Sequence, residues 1–213
     1  MREDGAQTRQ QLLEVAGQVF AEQGYARATS KEICARAGAN IAAVNYHFGS
    51  KDGLYAAVLE EAHARLVSID IVTKATQGDA EPGEKLRVLL LQVVSQIARR
   101  DQDWALRVLS REVMAPTALM DRMISNQVRP KLKLVAAMIA GVLDVPVDHP
   151  AVSRCMVNII GPCGFLLITS ADSQKQIFPS FAVEPQTLVE HMVTFALGGL
   201  KAVAAGMKRP QRR

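Results

Sequence analysis

The sequence predicts an all-α fold: an N-terminal three-helix helix-turn-helix domain (residues 1–66) and a larger helical domain (residues 67–213). Three observations carry this. Apolar residues recur at three- and four-residue steps along most of the chain. Gly and Pro are sparse and clustered, as short loops between helices require. No segment reads convincingly as a strand, and no repeat is visible. With 49% hydrophobic but only 5% aromatic residues, aliphatic side chains must supply most of the core.

Thr8 to Gln23 reads as the first helix, with Leu12, Leu13, Ala16, Val19 and Phe20 on one face and Gly24 ending it. Thr29 opens a short second helix. Glu32 stands three residues on, which is the capping-box spacing, and Gly38 stops it. Asn40 can cap a third helix, Ile41 to Phe48, closed by Gly49. Ser50 then caps a fourth, from about Lys51 to Ile69, with Leu54, Val58 and Leu66 on one face. Two short helices meeting at a glycine, with one helix before and a longer one after, form the helix-turn-helix pattern.

Thr73 to Gly83 is polar and turn-rich, and it reads as a linker. Beyond it, Leu86, Leu90, Val93 and Ile97 mark one helix, and Trp104, Val108 and Arg111 another that ends near Pro116. Val128 to Asp144 reads as a longer helix that Pro130 must kink or split. Pro150 suits the first turn of the next helix, which runs to about Ser170 and is interrupted at Pro162. Ala171 to Glu184 reads as a loop. The last helix spans roughly Pro185 to Ala205.

Charge does not announce a partner. Residues 1–65 hold seven Lys/Arg against eight Asp/Glu, and residues 66–213 hold eighteen against thirteen. Four of the latter stand between Lys208 and Arg213, which reads as a solvated end. Cys34, Cys155 and Cys163 are odd in number, fit no metal spacing and lie in apolar helices, so they read as free thiols. The polar N-terminus shows no signal peptide. No uninterrupted apolar run reaches the ~18 residues of a membrane span, so the expectation is a soluble, cytoplasmic protein with no membrane partner. His63, His149 and His191 have no ligand partners at metal spacing, and no nucleophile stands with a base. No metal, cofactor or catalytic residue is expected.

Residues 8–66 resemble the DNA-binding domain of the tetracycline-repressor (TetR) family. The likeness rests on Thr8-Arg9, Ala16, Phe20, Gly24-Tyr25, Thr29, Ile33, Ala37-Gly38 and above all Tyr46-His47-Phe48-Gly49-Ser50-Lys51-Asp52-Gly53-Leu54. The segment Arg111-Glu112 with Pro116-Thr117 is similar to a CecR-like subgroup. The resemblance implies a homodimer that binds a near-palindromic double-stranded operator. It also implies a small-molecule effector held between the middle helices, and repression as the usual sign. It further implies that Thr29, Tyr46, His47 and Lys51 clamp phosphates. Thr29 and Lys51 stand at helix starts, where free N–H groups already favour a phosphate.

The residues support part of this independently. Ala42 and Ala43 are small enough to let a recognition helix approach base edges. Ile41 can meet a thymine methyl or pack in the fold. Asn45, where the family commonly has tyrosine, can pair with adenine or with a phosphate. Asn40 is a helix cap or a base reader. Phe48 reads as core. For the effector, Trp104, Arg107, Arg111, Met114, Met120, Met123 and Phe165 are the candidate lining, ordinary core and surface roles being the alternative. The last two long helices suggest a homodimer surface, with Leu188, Met192, Phe195, Gly198, Gly199 and Ala202 supplying buried area and close approach. A helical module that binds protein and not DNA is the alternative function.

Overall fold

The computed structural model describes residues 2–98, 104–169, 171–181 and 185–208; residues 209–213 of the basic end lie outside these. Among the described residues all regular structure is helical. The chain packs as two compact units. Met1–Leu66 and Gln102–Val128 form the first; Val67–Asp101 and Arg129–Arg213 form the second. The first unit therefore takes in a segment well beyond residue 66.

In the first unit α1 (Arg2–Gln23) starts six residues before Thr8. It packs on α4 (Lys51–Leu66) and α7 (Trp104–Met114). Leu12, Ala16 and Phe20 of α1, Leu54 and Val58 of α4, and Val108 of α7 are buried at this contact. The Trp104 ring lies where a side chain at residue 17 would stand, so a Cβ on Gly17 would collide with it. Its Nε1 donates to Glu14 Oε1 at 2.6 Å, and the Arg65 guanidinium lies 4.5 Å from the ring centroid. Burial works against a charged Glu14, but the hydrogen bonds from Arg65 and Trp104 outweigh it and hold the carboxyl below its usual pKa.

α2 (Ser30–Ala37) and α3 (Ile41–Phe48) lie between α1 and α4 in the chain. The fourth helix ends at Leu66, three residues earlier than its pattern predicts. Ser68 accepts from the Ile71 N–H at 3.1 Å and so caps a separate α5 (Ile69–Thr76). The predicted linker is thus half helix, and Val72 of that helix is buried in the second unit.

The second unit packs α5, α6 (Pro82–Ala98), α9 (Arg129–Leu143), α10 (Pro150–Ile168) and α12 (Pro185–Lys208) around Leu86, Ile139, Leu143, Val152, Val193 and Leu200. Pro130 does not split the predicted helix: it stands in the first turn of α9, which begins at Arg129. A short α8 (Met120–Met123) and a π-helical turn, Ile124–Val128, precede it in the chain. Pro162 lies inside α10 without ending it. Part of the predicted loop after α10 is α11 (Ala171–Ile177), followed by a 3₁₀ turn at Pro179–Phe181.

Lys131 of α9 is only 4% exposed, and burial pushes its amine down to about 8. Below that pKa both folded and unfolded chains carry the proton, so the penalty of burying the charge is fully felt. It fades as pH rises from about 8, where the folded amine loses its proton, and is gone by about 10.5, where the unfolded one does. Lys131→Met is therefore expected to remove the part of the stability that the parent gains between about pH 8 and 10.5. Thermal melts at several pH values check this; a difference in melting temperature between variant and parent that stays constant over that interval would contradict it.

Candidate nucleic-acid interface

The helix-turn-helix is built by local chemistry. Thr29 is extended and its Oγ1 accepts from the Glu32 N–H at 3.2 Å. The Glu32 carboxylate does not complete a capping box; it accepts from Gln23 at 2.6 Å and from Arg36 at 2.8 Å. Gly38 ends α2 in the left-handed region, at φ 62°, which L side chains rarely adopt. Asn40 is seated as a cap: its Oδ1 accepts from the Ala43 N–H at 2.9 Å. Gly49 closes α3 at φ 77°, and Ser50 Oγ accepts from the Gly53 N–H at 3.1 Å to begin α4.

Helix α3 turns one residue inward and offers the rest. Val44 is buried, while Ile41 is 50% and Tyr46 85% exposed. Ala42 and Asn45 are exposed, and Ala43, His47 and Lys51 are half-buried. Phe48 is half-buried, not the core residue expected: it shares the face of Val44 one turn on, but stands at the end of α3. The Arg9 guanidinium lies 5.2 Å from the Phe48 ring centroid. The rings of Tyr46, His47 and Phe48 follow edge to face, at 4.9 and 6.1 Å between centroids. Lys51 Nζ stands 4.4 Å over the Tyr25 ring, and the Tyr25 hydroxyl donates to Asp52 Oδ1 at 2.5 Å.

Five carboxylates of residues 1–65 are drawn into ion pairs with arginines. Glu14 and Glu61 meet Arg65, Glu22 and Glu32 meet Arg36, and Glu60 meets Arg122. Helix α3 contains no acidic residue. The exposed face of α3 thus combines small side chains, one amide and donors without a carboxylate of its own. Arg9 and Tyr25 were not foreseen as part of this site. Both stand in the resemblance motifs, but no sequence spacing shows that they reach Phe48 and Lys51.

The seven effector candidates do not converge. Trp104 and Met123 are buried packing residues of the first unit, Arg107 is exposed and Met120 half-buried. Arg111 donates to the carbonyls of Ala21 and Glu22 at 2.9 and 3.1 Å, where a cation suits the end of α1. Arg111 and Met114 line one pocket of about 350 Å³ with Tyr25 and Tyr55. Phe165 belongs to the second unit, edge-on to Phe178 at 6.1 Å. A separate pocket of about 250 Å³ lies within the second unit among α6, α10 and α12, and none of the seven lines it.

Comparison with known proteins agrees with this architecture. Residues 12–58 match the bacterial regulatory proteins of the tetR family, and residues 53–200 match the C-terminal domain of the HTH-type transcriptional dual regulator CecR. The chain is 33% identical over 129 residues to CecR of Shigella flexneri, covering 54% of this chain and 55% of that protein. It is 33% identical over 98 residues to the regulator TtgR of Pseudomonas putida, covering 45% of each. The chain thus spans about half the length of these curated relatives. Among solved structures it is similar to FadR of Bacillus subtilis in complex with stearoyl-CoA. The TM-score is 0.69 at 15% identity, over 89% of this chain and 98% of that one. It is also similar to SmeT, the repressor of the Stenotrophomonas maltophilia multidrug efflux pump SmeDEF. There the TM-score is 0.65 at 17% identity, over 90% and 89%. At such identities the likeness is one of fold.

Proposed function

The chain belongs to the tetR family of bacterial regulatory proteins, and from that premise we propose that it is a homodimeric transcriptional regulator, a repressor released from a palindromic operator by a small-molecule effector. The observation that carries this is the exposed α3, which buries Val44 and leaves Ile41, Asn45 and Tyr46 to a partner surface. Ile41, Ala42, Ala43 and Asn45 read base edges, and Thr29, Tyr46, His47 and Lys51 grip phosphates. Asn40, with its Oδ1 committed to the cap, adds at most its Nδ2 donors. The chain acts as a binder and not as an enzyme, in the cytoplasm where its operator is.

The dimer surface is assigned to α10 and α12. These helices are long and apolar enough to cross a membrane by length and composition alone. Their outward residues form stripes: Val157, Ile160 and Ile168 on α10, and Phe195, Val203 and Met207 on α12, all exposed. A Cβ added at Gly161, Gly198, Gly199 or Gly206 would meet no atom within 4 Å outside its own helix turn. Apolar stripes beside small residues suit close helix packing against a second copy, and a two-fold axis sets two α3 helices about one DNA turn apart. The effector is assigned to the pocket lined by Leu90, Val94, Ile159 and Met192, with Asn158 and His191 as its polar groups, which suits a mainly apolar molecule. An effector that prefers the DNA-free state lowers operator affinity by that difference in binding free energy.

Salt titration of duplex binding tests the DNA half. Lys51→Ala is expected to weaken specific and random sequences alike and to flatten the salt slope by about one contact per head. Asn45→Ala is expected to hurt the selected operator by about 1–3 kcal/mol and random DNA little. A protein that ignores duplex DNA at low salt would instead fit the protein-binding module.

A further inference from the structure

The geometry points to Tyr25 as the residue that positions Lys51 against the DNA backbone. This rests on the reading of Lys51 as a phosphate contact. Lys51 is the first residue of α4, and its side chain is a flexible stem with a charge at the tip. Such a side chain grips a phosphate well only if its tip is already held near the right place, since ordering it on binding opposes affinity. Tyr25 supplies that hold. Its ring face carries the Lys51 ammonium at 4.4 Å from the centroid, while its hydroxyl donates to Asp52 Oδ1 at 2.5 Å. One side chain thus engages the cation and the anion of the Lys51-Asp52 pair at two different places. The cation stays on the ring face. The carboxylate, which would repel a phosphate and attract the lysine, is occupied by the phenol.

Tyr25 is itself anchored. Its ring lies 4.8 Å from the Tyr55 ring, and Tyr55 in turn meets Phe20 at 4.7 Å and donates to the buried Glu112 at 2.8 Å. The hydrogen bond to Asp52, with burial adding to it, raises the Tyr25 pKa, so the phenol remains a donor at neutral pH. The left-handed Gly24 before it, at φ 77°, lets the chain leave α1 and turn Tyr25 back towards α4. Tyr25 is a positioning residue: it acts through Lys51 and needs no DNA contact of its own.

The test uses the full-length protein and a random-sequence duplex, because a phosphate contact is read on any sequence. Lys51→Ala sets the reference. Tyr25→Leu, which keeps apolar bulk but no ring face or hydroxyl, is expected to lose about fivefold in affinity and to flatten the salt slope in the same direction as Lys51→Ala. Tyr25→Phe, which keeps the ring face but frees the Asp52 carboxylate, is expected to fall between the parent and Tyr25→Leu, and a loss as large as that of Tyr25→Leu would overturn the role of the ring face. The combined Tyr25→Leu, Lys51→Ala protein is expected to bind no worse than Lys51→Ala alone. Tyr25→Leu with an unchanged slope, or losses that add in the combined variant, would overturn the proposal while leaving the phosphate reading intact. An unchanged slope in Lys51→Ala would remove the phosphate reading and this proposal with it. A second measurement needs no variant and no DNA: the Cε methylene protons of Lys51 in the parent protein should be shifted upfield by the Tyr25 ring current in NMR spectra. Unshifted protons would sink the proposal even if Tyr25→Leu failed to fold.

Discussion

Glu112→Ala is expected to destabilise the first unit by about 4 kcal/mol and to abolish DNA binding near its lowered melting temperature. Glu112 is 1% exposed, and its carboxylate is fully used. Oε2 accepts from the Tyr55 hydroxyl at 2.8 Å, and Oε1 accepts from the Thr117 N–H at 2.9 Å and the Thr117 hydroxyl at 2.8 Å. Truncation strands these three donors and opens a cavity beneath α4. Burial first, and the hydrogen bond to Glu112 second, raise the Tyr55 pKa, so its hydroxyl stays protonated and has no cheap way to do without an acceptor. Glu112→Gln keeps the shape and one acceptor oxygen, and should lose only about half as much. Denaturant unfolding measures both. An alanine variant within about 1 kcal/mol of the parent would show that water takes over the carboxylate's place. The same geometry accounts for the Arg111-Glu112 and Pro116-Thr117 segment that the sequence singled out: Arg111 holds the end of α1, while Glu112 joins α4 to the turn after α7.

The second large effect concerns assembly. Val157→Asp combined with Val203→Asp is expected to convert the proposed dimer to a monomer and to weaken operator binding by at least about a hundredfold. Val157 is 69% exposed on α10 and Val203 also faces outward on α12, and neither lines the pocket of the second unit. Two carboxylates placed on a close, apolar contact between identical copies would meet their symmetry mates without compensation. A monomeric head keeps its own phosphate contacts but loses the second half-site, whose binding was effectively intramolecular. Sedimentation and a titration of a palindromic duplex read the two outcomes separately. A variant that stays dimeric would move the interface away from α10 and α12. A monomer that binds the palindrome undiminished would show that the heads act independently.

What could be read in the chain and what could not differ by range. The limits of α2 and α3 were legible because each depends on neighbours in sequence. Thr29 and Asn40 accept from N–H groups three residues on, and Gly38 and Gly49 take positive φ. The exposure of α3 followed in part from its small residues. Phe48 was misjudged because its side chain looked no different from that of Phe20; only the fold shows that one ends half-buried beside Arg9 and the other wholly inside. The break at Ser68 also escaped notice, since the apolar period runs through it and only the cap on Ile71 marks it.

By itself, then, the sequence determined α2 and α3 with their caps, the helix-turn-helix and the family, because these rest on contacts within a turn or two and on a contiguous motif, whereas α5 and α11 lie in stretches that read as linker and loop. Only the tertiary structure decided which helices keep company. Trp104 joins the first unit through a bond to Glu14, 90 residues away, and through the space left by Gly17. Such pairings depend on shape complementarity between distant surfaces, to which no local pattern is bound, and so Trp104 and Arg111 both brace α1 within the first unit, Arg111 while also lining its pocket.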